Sequence, residues 1–291
     1  MQDIGGMFTS AGVEGWLHAR NIDGERSVGV RAGERVVLAS VVKILLALEF
    51  SRQVAAGVLD PAERVLVGAG DRFGGWGIAG CADDVEVSLR DLAYFAMSVS
   101  DNTAADVLLR RVGGADVLGL LAAELGLGET RVEGGPRQLL ESMFADLGVG
   151  DDAEFARMYP TLPPDRRRTL RVYDPQRTTS STPEDVTRLL TGIWRDEAGP
   201  PAACAAVRGL MGRQLFWTRL AAAFPSGVQV AGKTGTLPGL AMEAGVVRYP
   251  DGGRYAVAVF IRAGDDHDRL HVDTTLGRAA HAAVEMLRDQ H

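Results

Sequence analysis

The chain has 291 residues, of which 46% are hydrophobic and 24% charged, a balance typical of a folded globular protein rather than a disordered one. Its net charge of −7 disfavours a nucleic-acid or anionic-membrane surface, and no apolar run is long enough to span a bilayer. At this length, one two-lobed domain or two small domains are expected. We therefore predict no nucleic-acid partner, no membrane partner and a monomer.

The first residues bear on the compartment in which the protein works, and the cysteines and histidines favour a protein without metal or cofactor. The N-terminal residues lack the basic and apolar regions of a secretory signal, which predicts a cytoplasmic protein, or a periplasmic or secreted one if a leader has been removed. Cys81 and Cys204 lie far apart, without basic or histidine neighbours, and we expect both to be structural. The five histidines show no zinc-binding spacing (His18, His267, His271, His281, His291).

The first half of the chain predicts strands followed by helices. Residues 2–11 favour a short helix, and two strands at 13–22 and 27–31 are joined by a turn at 23–25. A helix is expected from Ser40 to about Ala56, followed by a loop-rich stretch at 65–87. Helical periodicity then resumes over 89–97, 102–112 and 115–125.

The second half returns to strands. Residues 160–182 are rich in Pro, Arg, Thr and Ser and predict a long ordered loop or a lid. Two helices are expected next, at 183–194 and 201–211. Strands at 228–231, 244–249 and 255–262 and a final helix at 273–289 complete the pattern.

Strands near both ends of the chain, with helices between them, predict an α/β fold of the α+β type. One antiparallel sheet is built from both termini, and an all-helical lobe is inserted in it. We assign residues 1–38 and 212–291 to the α/β lobe. Residues 39–211 form the helical lobe, which carries the candidate nucleophile helix and the long loop, within one compact two-lobed domain.

Ser40 and Lys43 stand at the head of an apolar run, where a helix places both side chains on one face. A lysine kept neutral by burial or by a neighbouring cation can take the serine proton and leave an activated nucleophile. The unpaired N–H groups at a helix start also favour negative charge that develops there. Taken alone, the spacing favours a helix-start serine followed by an exposed lysine.

Two further polar segments support the chemical interpretation. The segment 100–102, Ser-Asp-Asn, separates two apolar helical patterns and can direct a hydroxyl and an amide into a cleft, although it also suits a helix N-cap. The segment 233–236, Lys-Thr-Gly-Thr, lies on or at the end of a predicted strand. Its lysine and hydroxyls can hold a carboxylate, and its glycine is typical of close ligand approach, the alternative being an exposed edge strand.

The order and separation of these three motifs are those of class A β-lactamases and penicillin-binding proteins. The chain therefore resembles the serine β-lactamase family, closest to class A, over nearly its whole length. The stretch 219–225 is also similar to the approach to the third motif in that family. The resemblance implies the β-lactamase/transpeptidase-like version of the α/β fold.

The resemblance also implies a role for each motif residue. Ser40 is the acylated nucleophile, Lys43 its proton acceptor or the partner of one, and Ser100 carries a proton to the leaving nitrogen. The backbone N–H groups of Ser40 and Thr236 form the oxyanion hole. The residues expected to bind a small-molecule substrate with a carboxylate are Asn102, Lys233, Thr234, Gly235 and Arg219. Repulsion among the cations Lys43, Lys233 and Arg219 is expected to lower a lysine pKa.

One class A element is missing. The Glu-x-x-Leu-Asn segment, whose glutamate activates the water that cleaves the acyl-enzyme, has no counterpart in residues 163–179, and Arg177 stands at a position that is normally acidic. Asp165 is the first substitute candidate, although three arginines follow it and a surface charge is the alternative. Asp174 is the second candidate.

The resulting hypothesis is a serine hydrolase that opens β-lactams, or a related amide or ester, through an acyl-Ser40 intermediate, with deacylation in doubt. A penicillin-binding-like protein, an esterase or a sensor with slow release is the alternative. A non-catalytic binding protein that keeps only the fold is a third possibility, against which the intact motif set argues.

Overall fold

A five-stranded antiparallel sheet forms the centre of the protein. The computed structural model describes residues 3–74, 76–264 and 267–289. The strands of the described residues are β1 Glu14–Asn21, β2 Ser27–Val30, β3 Val36–Val37, β4 Arg64–Val67, β5 Val85–Ser88, β6 Ser180–Ser181, β7 Gln229–Leu237, β8 Leu240–Arg248 and β9 Arg254–Arg262. The order in the large sheet is β2-β1-β9-β8-β7, so strands from the two parts of the sequence meet at β1 and β9. The predicted sheet with an inserted helical region is confirmed.

Helices cover both faces of this sheet. The α-helices of the described residues are α1 Ile4–Ser10, α2 Lys43–Ala55, α3 Leu89–Ser98, α4 Asn102–Val112, α5 Ala115–Glu124, α6 Pro136–Leu147, α7 Asp152–Met158, α8 Pro164–Arg168, α9 Pro183–Trp194, α10 Pro201–Met211, α11 Leu220–Ala223 and α12 Arg269–Arg288. None of them, within the part of the chain that is described, is long and apolar enough to cross a membrane. The division of the chain after residues 38 and 211 stays a prediction.

Strand β9 shows how the sheet separates two apolar cores. Ala258 and Phe260 pack with the helical region, whereas Val257 and Val259 pack with α1 and α12 on the opposite face. Alternate side chains of a strand point to opposite faces, and a strand covered on both sides therefore needs a continuous apolar run. The sequence of β9 provides that run.

Helix α2 passes through the middle of the helical region, and residues 44–48 are all buried. It packs against α3, α4, α5 and α10, while the 3₁₀ turn Ala39–Val42 that precedes it packs against β7. Burial on all sides fixes the position of this helix start. The head of α2 is thereby held at the junction between helices and sheet.

Several segments differ from the expectations. The stretch expected to be rich in loops, 65–87, contributes most of β4 and β5, which pair with each other. These strands were not predicted, because each is too short for its alternating apolar residues to form a clear pattern. The predicted long loop contains the short helix α8 and two 3₁₀ turns. Strand β7 continues to Leu237, and α12 begins already at Arg269. Residue 2 of the predicted first helix lies outside the described residues.

Candidate active site

A cleft of about 170 Å³ brings residues of all three sequence motifs together. It lies where the Ser40 turn, the start of α4 and strand β7 meet. Its lining residues are Ser40, Trp76, Ser100, Asn102, Phe216, Thr218, Arg219, Thr234, Thr236 and Arg269. Lys43 and Lys233 lie beneath this lining and are only 1% and 0% exposed, respectively. The sequence did not predict Trp76, Phe216 and Arg269 as lining residues, because an isolated aromatic or charged residue belongs to no recognisable motif.

Ser40 lies in the 3₁₀ turn, one turn ahead of α2, and not in the α-helix that was expected to start with it. The residue before it, Ala39, has a φ of 42°, in the left-handed region that non-glycine residues rarely adopt. Strand β7 passes close by, since a Cβ on Gly235 would lie 3.1 Å from the Leu38 carbonyl oxygen. Gly235 therefore allows the third motif to approach the backbone that leads into the Ser40 turn.

Lys43 is held by the turn that carries the second motif. Its Nζ donates to the Ser100 carbonyl at 2.7 Å and to Asn102 Oδ1 at 2.8 Å. Longer contacts of 3.3 Å reach Ser100 Oγ and the Asp101 carbonyl. Among the described residues, none of its hydrogen bonds goes to Ser40. The amine is positioned directly below the cleft and in contact with the Ser100 hydroxyl.

Burial lowers the pKa of Lys43 to about 7, and the negative charge of Asp101 opposes this shift. A charged amine loses its hydration when it is buried, so the neutral form is favoured. The expected repulsion between cations is not the main cause here. Near neutral pH, a substantial fraction of Lys43 is therefore the free amine that a proton acceptor requires.

The 100–102 turn both places side chains at the cleft and caps a helix, the two roles considered from the sequence. Ser100 has a φ of 60°, which turns the chain sharply between α3 and α4. The Asp101 carboxylate caps α4 by accepting from the Ala104 N–H at 2.9 Å, and it also accepts from the Ile78 N–H at 2.7 Å. An N-cap fixes the backbone of a helix start. The cap thus holds Ser100 and Asn102 toward the cleft.

Lys233 lies on β7 and its Nζ donates to the Thr234 carbonyl at 2.8 Å. Burial, reinforced by the charge of Lys43, keeps the pKa of Lys233 well below its ordinary value, while Glu243 opposes that shift. Thr234 and Thr236 are the residues of this strand that reach the cleft. The third motif thus presents hydroxyls to the cleft and keeps its amine underneath.

A buried carboxyl that sequence reasoning missed supports this strand. Glu243 on β8 accepts from the Gln214 side-chain amide at 2.6 Å and from the Leu220 N–H at 2.9 Å. Gln214 in turn accepts from the Thr234 N–H at 2.6 Å. Burial raises the pKa of Glu243. This network joins β7, β8 and the start of α11 behind the cleft, and only the register of the strands brings it together.

Arg219 is almost completely buried at the edge of the cleft. Its Nε donates to Asp273 at 2.7 Å, and one terminal nitrogen donates to the carbonyls of Gly235 and Met242, each at 2.8 Å. The other terminal nitrogen donates to Thr236 Oγ1 at 3.0 Å. The guanidinium therefore ties α12, β7 and β8 to one another.

Comparison with known proteins identifies the family. A family model described as the β-lactamase enzyme family matches residues 1–287. The chain belongs to this family. It is 29% identical to the β-lactamase regulatory protein BlaB of Streptomyces cacaoi over 275 residues, which covers 89% of this chain and 88% of that protein.

Solved structures share the fold over nearly the full chain. A β-lactamase from Sphaerobacter thermophilus superposes with a TM-score of 0.78 at 24% identity, covering 97% of this chain and 96% of the other. The protein PBP-A superposes with a TM-score of 0.76 at 20% identity over the same shares. These likenesses establish the β-lactamase fold.

The two acids suggested as deacylation bases lie outside the cleft of this β-lactamase-family protein. Asp165 is exposed in the first turn of α8. Asp174 follows a 3₁₀ turn, and its carboxylate accepts from the Gln176 N–H at 2.9 Å. Among the described residues, no carboxylate lines the cleft. The cleft therefore brings residues of the three motifs together with neither of these acids in its lining.

Proposed function

We propose that the protein is a serine enzyme of the β-lactamase family in which β-lactams, or related amides and esters with a carboxylate, acylate Ser40. Release of the acyl group is slow. The observation that carries this proposal is the single cleft shared by Ser40, Ser100, Thr234 and Thr236, with the depressed-pKa amine of Lys43 below it.

Acylation requires a base, a proton relay and a site for the oxyanion. The free amine of Lys43 takes the proton of Ser40 Oγ, directly or through Ser100, as Oγ attacks the carbonyl carbon. When the C–N bond breaks, Ser100 delivers a proton to the leaving nitrogen and is reprotonated from Lys43 at a distance of 3.3 Å. The backbone N–H groups of Ser40 and Thr236 hold the oxyanion, each contributing about 3 kcal/mol.

Hydrolysis of the acyl-enzyme needs a group that activates water, and the described lining of the cleft offers no carboxylate for that role. Asp165 and Asp174 stay candidates only through movement of the long loop. Lys43 is the alternative base, because it returns to the neutral form once its proton has passed to the leaving group. A slow release step follows from that arrangement.

A second candidate function is that of a β-lactam-responsive regulator that uses the same acylation as its signal. The observation that favours it is the 29% identity to BlaB of Streptomyces cacaoi, whose name describes a regulatory protein. A long-lived acyl-enzyme suits a sensor better than a resistance enzyme. Both functions need the same nucleophile, and they differ in the lifetime of the adduct.

Intact mass spectrometry after mixing with benzylpenicillin, followed from minutes to hours, tests the proposal. We expect one adduct with the mass of the whole penicillin, since ring opening loses no atoms, and it should persist for many minutes. The Ser40→Ala variant is the control and should gain no mass. Rapid drug hydrolysis with little adduct would contradict slow release. If neither adduct nor hydrolysis is seen, the protein is not a β-lactam-reactive serine enzyme.

A further inference from the structure

Arg219, one of the cations implied to bind the substrate carboxylate, is largely occupied within the protein. A guanidinium has five N–H donors. Four of those of Arg219 are directed to Asp273, to the carbonyls of Gly235 and Met242, and to Thr236 Oγ1. One N–H is left, so Arg219 cannot make the usual two-pronged contact with a carboxylate.

Lys233 is not among the residues that line the cleft. Its side chain is fully buried, and Nζ donates to the Thr234 carbonyl below the strand. The cleft instead receives the hydroxyls of Thr234 and Thr236. Because Thr236 Oγ1 accepts from Arg219, its own hydroxyl hydrogen is free to point toward a ligand.

Arg269 has a different environment. It is the first residue of α12, it is exposed, and it lines the cleft together with Ser40 and Thr236. It also lines an adjoining cavity of about 570 Å³, so its side chain stands at the junction of the two spaces. Within the described residues it has no carboxylate partner, and the neighbouring Asp268 accepts from the Leu270 N–H as the cap of α12.

We propose that Arg269 is the specificity-determining cation of this site, which binds the substrate carboxylate from the mouth of the cleft. The hydroxyls of Thr234 and Thr236 bind the same carboxylate from the strand. Arg219 is a positioning residue that acts through Thr236. The inference rests on the proposed function, because it concerns the anionic group of the same substrate.

The test compares benzylpenicillin with its methyl ester, which lacks the negative charge. Second-order rate constants for acylation are measured by mass spectrometry for the native protein, Arg269→Gln and a control, Arg278→Gln, an exposed arginine further along α12. We expect Arg269→Gln to slow acylation by benzylpenicillin about fivefold, as for loss of one exposed charge pair. The rate with the ester and both rates of the control should stay unchanged.

Two results would overturn the inference. One is an unchanged ratio of the two rate constants in Arg269→Gln. The other is an equal loss with both compounds, which would indicate a structural role. In either case acylation itself would persist and the proposed function would stand.

If the native protein is acylated by neither compound, the proposed function fails and binding decides the inference separately. Calorimetric titration of the Ser40→Ala variant with benzylpenicillin and with its ester measures the two affinities without a covalent step. Tighter binding of the carboxylate, lost in the double variant with Arg269→Gln, supports the role of Arg269. Equal affinities in both proteins overturn it.

Discussion

The elements around Ser40 and the segment 136–182 use charge in opposite ways. Around Ser40, the charged groups Lys43, Lys233 and Glu243 are buried and hydrogen-bonded. In the 136–182 segment, Asp165 and most of the arginines of α8 are exposed, and the small apolar cluster of this segment has four buried residues among those described.

This difference bears on the two steps of the proposed reaction, acylation and release. A buried charge costs free energy unless it is paired, so it is kept in one position and its pKa is shifted. A surface charge stays hydrated, so it is neither held in one position nor given a shifted pKa. The groups to which we assign acylation are therefore preorganised, whereas Asp165 and Asp174, the candidates for the hydrolytic step, are not.

The largest effect is expected from Lys43→Met, which removes the amine below the cleft. Acylation by benzylpenicillin should fall by about 10²–10⁴-fold, the usual contribution of a general base. Stopped-flow or mass-spectrometric rates measure it, with circular dichroism to verify the fold. Acylation at more than a tenth of the native rate would show that another base serves Ser40.

The pH dependence of acylation sharpens the same point. Because the neutral amine is the active form and the pKa of Lys43 is about 7, the rate should rise between pH 6 and pH 8 and then level off. The neutral fraction predicts a rise of roughly tenfold. The rate constant for benzylpenicillin measured in steps of half a pH unit checks this, and a profile that falls over this range would exclude Lys43 as the base.

A smaller effect is expected from crowding the buried network. In Gly232→Ala, the new Cβ would lie 2.8 Å from Glu243 Oε1, and the unfolding free energy should fall by about 1–3 kcal/mol. Gly119→Ala is the matched control, because α5 leaves open space there and the helix should gain about 0.5–1 kcal/mol. Urea unfolding of both variants measures the difference, and equal stabilities would mean that the network yields easily.

The smallest effect is expected in the loop. Asp165→Asn and Asp174→Asn should change the release rate of the penicilloyl group less than about twofold, as surface substitutions usually do. Decay of the adduct mass over hours gives this rate. A tenfold slower decay in either variant would mean that the loop brings that aspartate to the acyl-enzyme.

Much of the fold could be predicted from the sequence, because long helices such as 102–112 and 201–211 carry a clear period and recognisable caps. The β4–β5 pair could not, since strands of four residues barely establish a pattern. Within the site, the motif residues are visible as short polar segments. Glu243 and Arg269 become part of the site only through strand register and the start of α12, which depend on tertiary packing.

Strand β1 pairs with β9 along its whole length, from Glu14 opposite Arg262 to Asn21 opposite Tyr255. Two segments more than two hundred positions apart must therefore meet before the sheet is complete, and such non-local pairing slows folding. The turns that carry Ser40 and Ser100 lie between these two segments in the sequence. A register shift of one residue between β1 and β9 would exchange the two faces of β1. It would thereby disrupt a cleft whose lining contains no residue of β1.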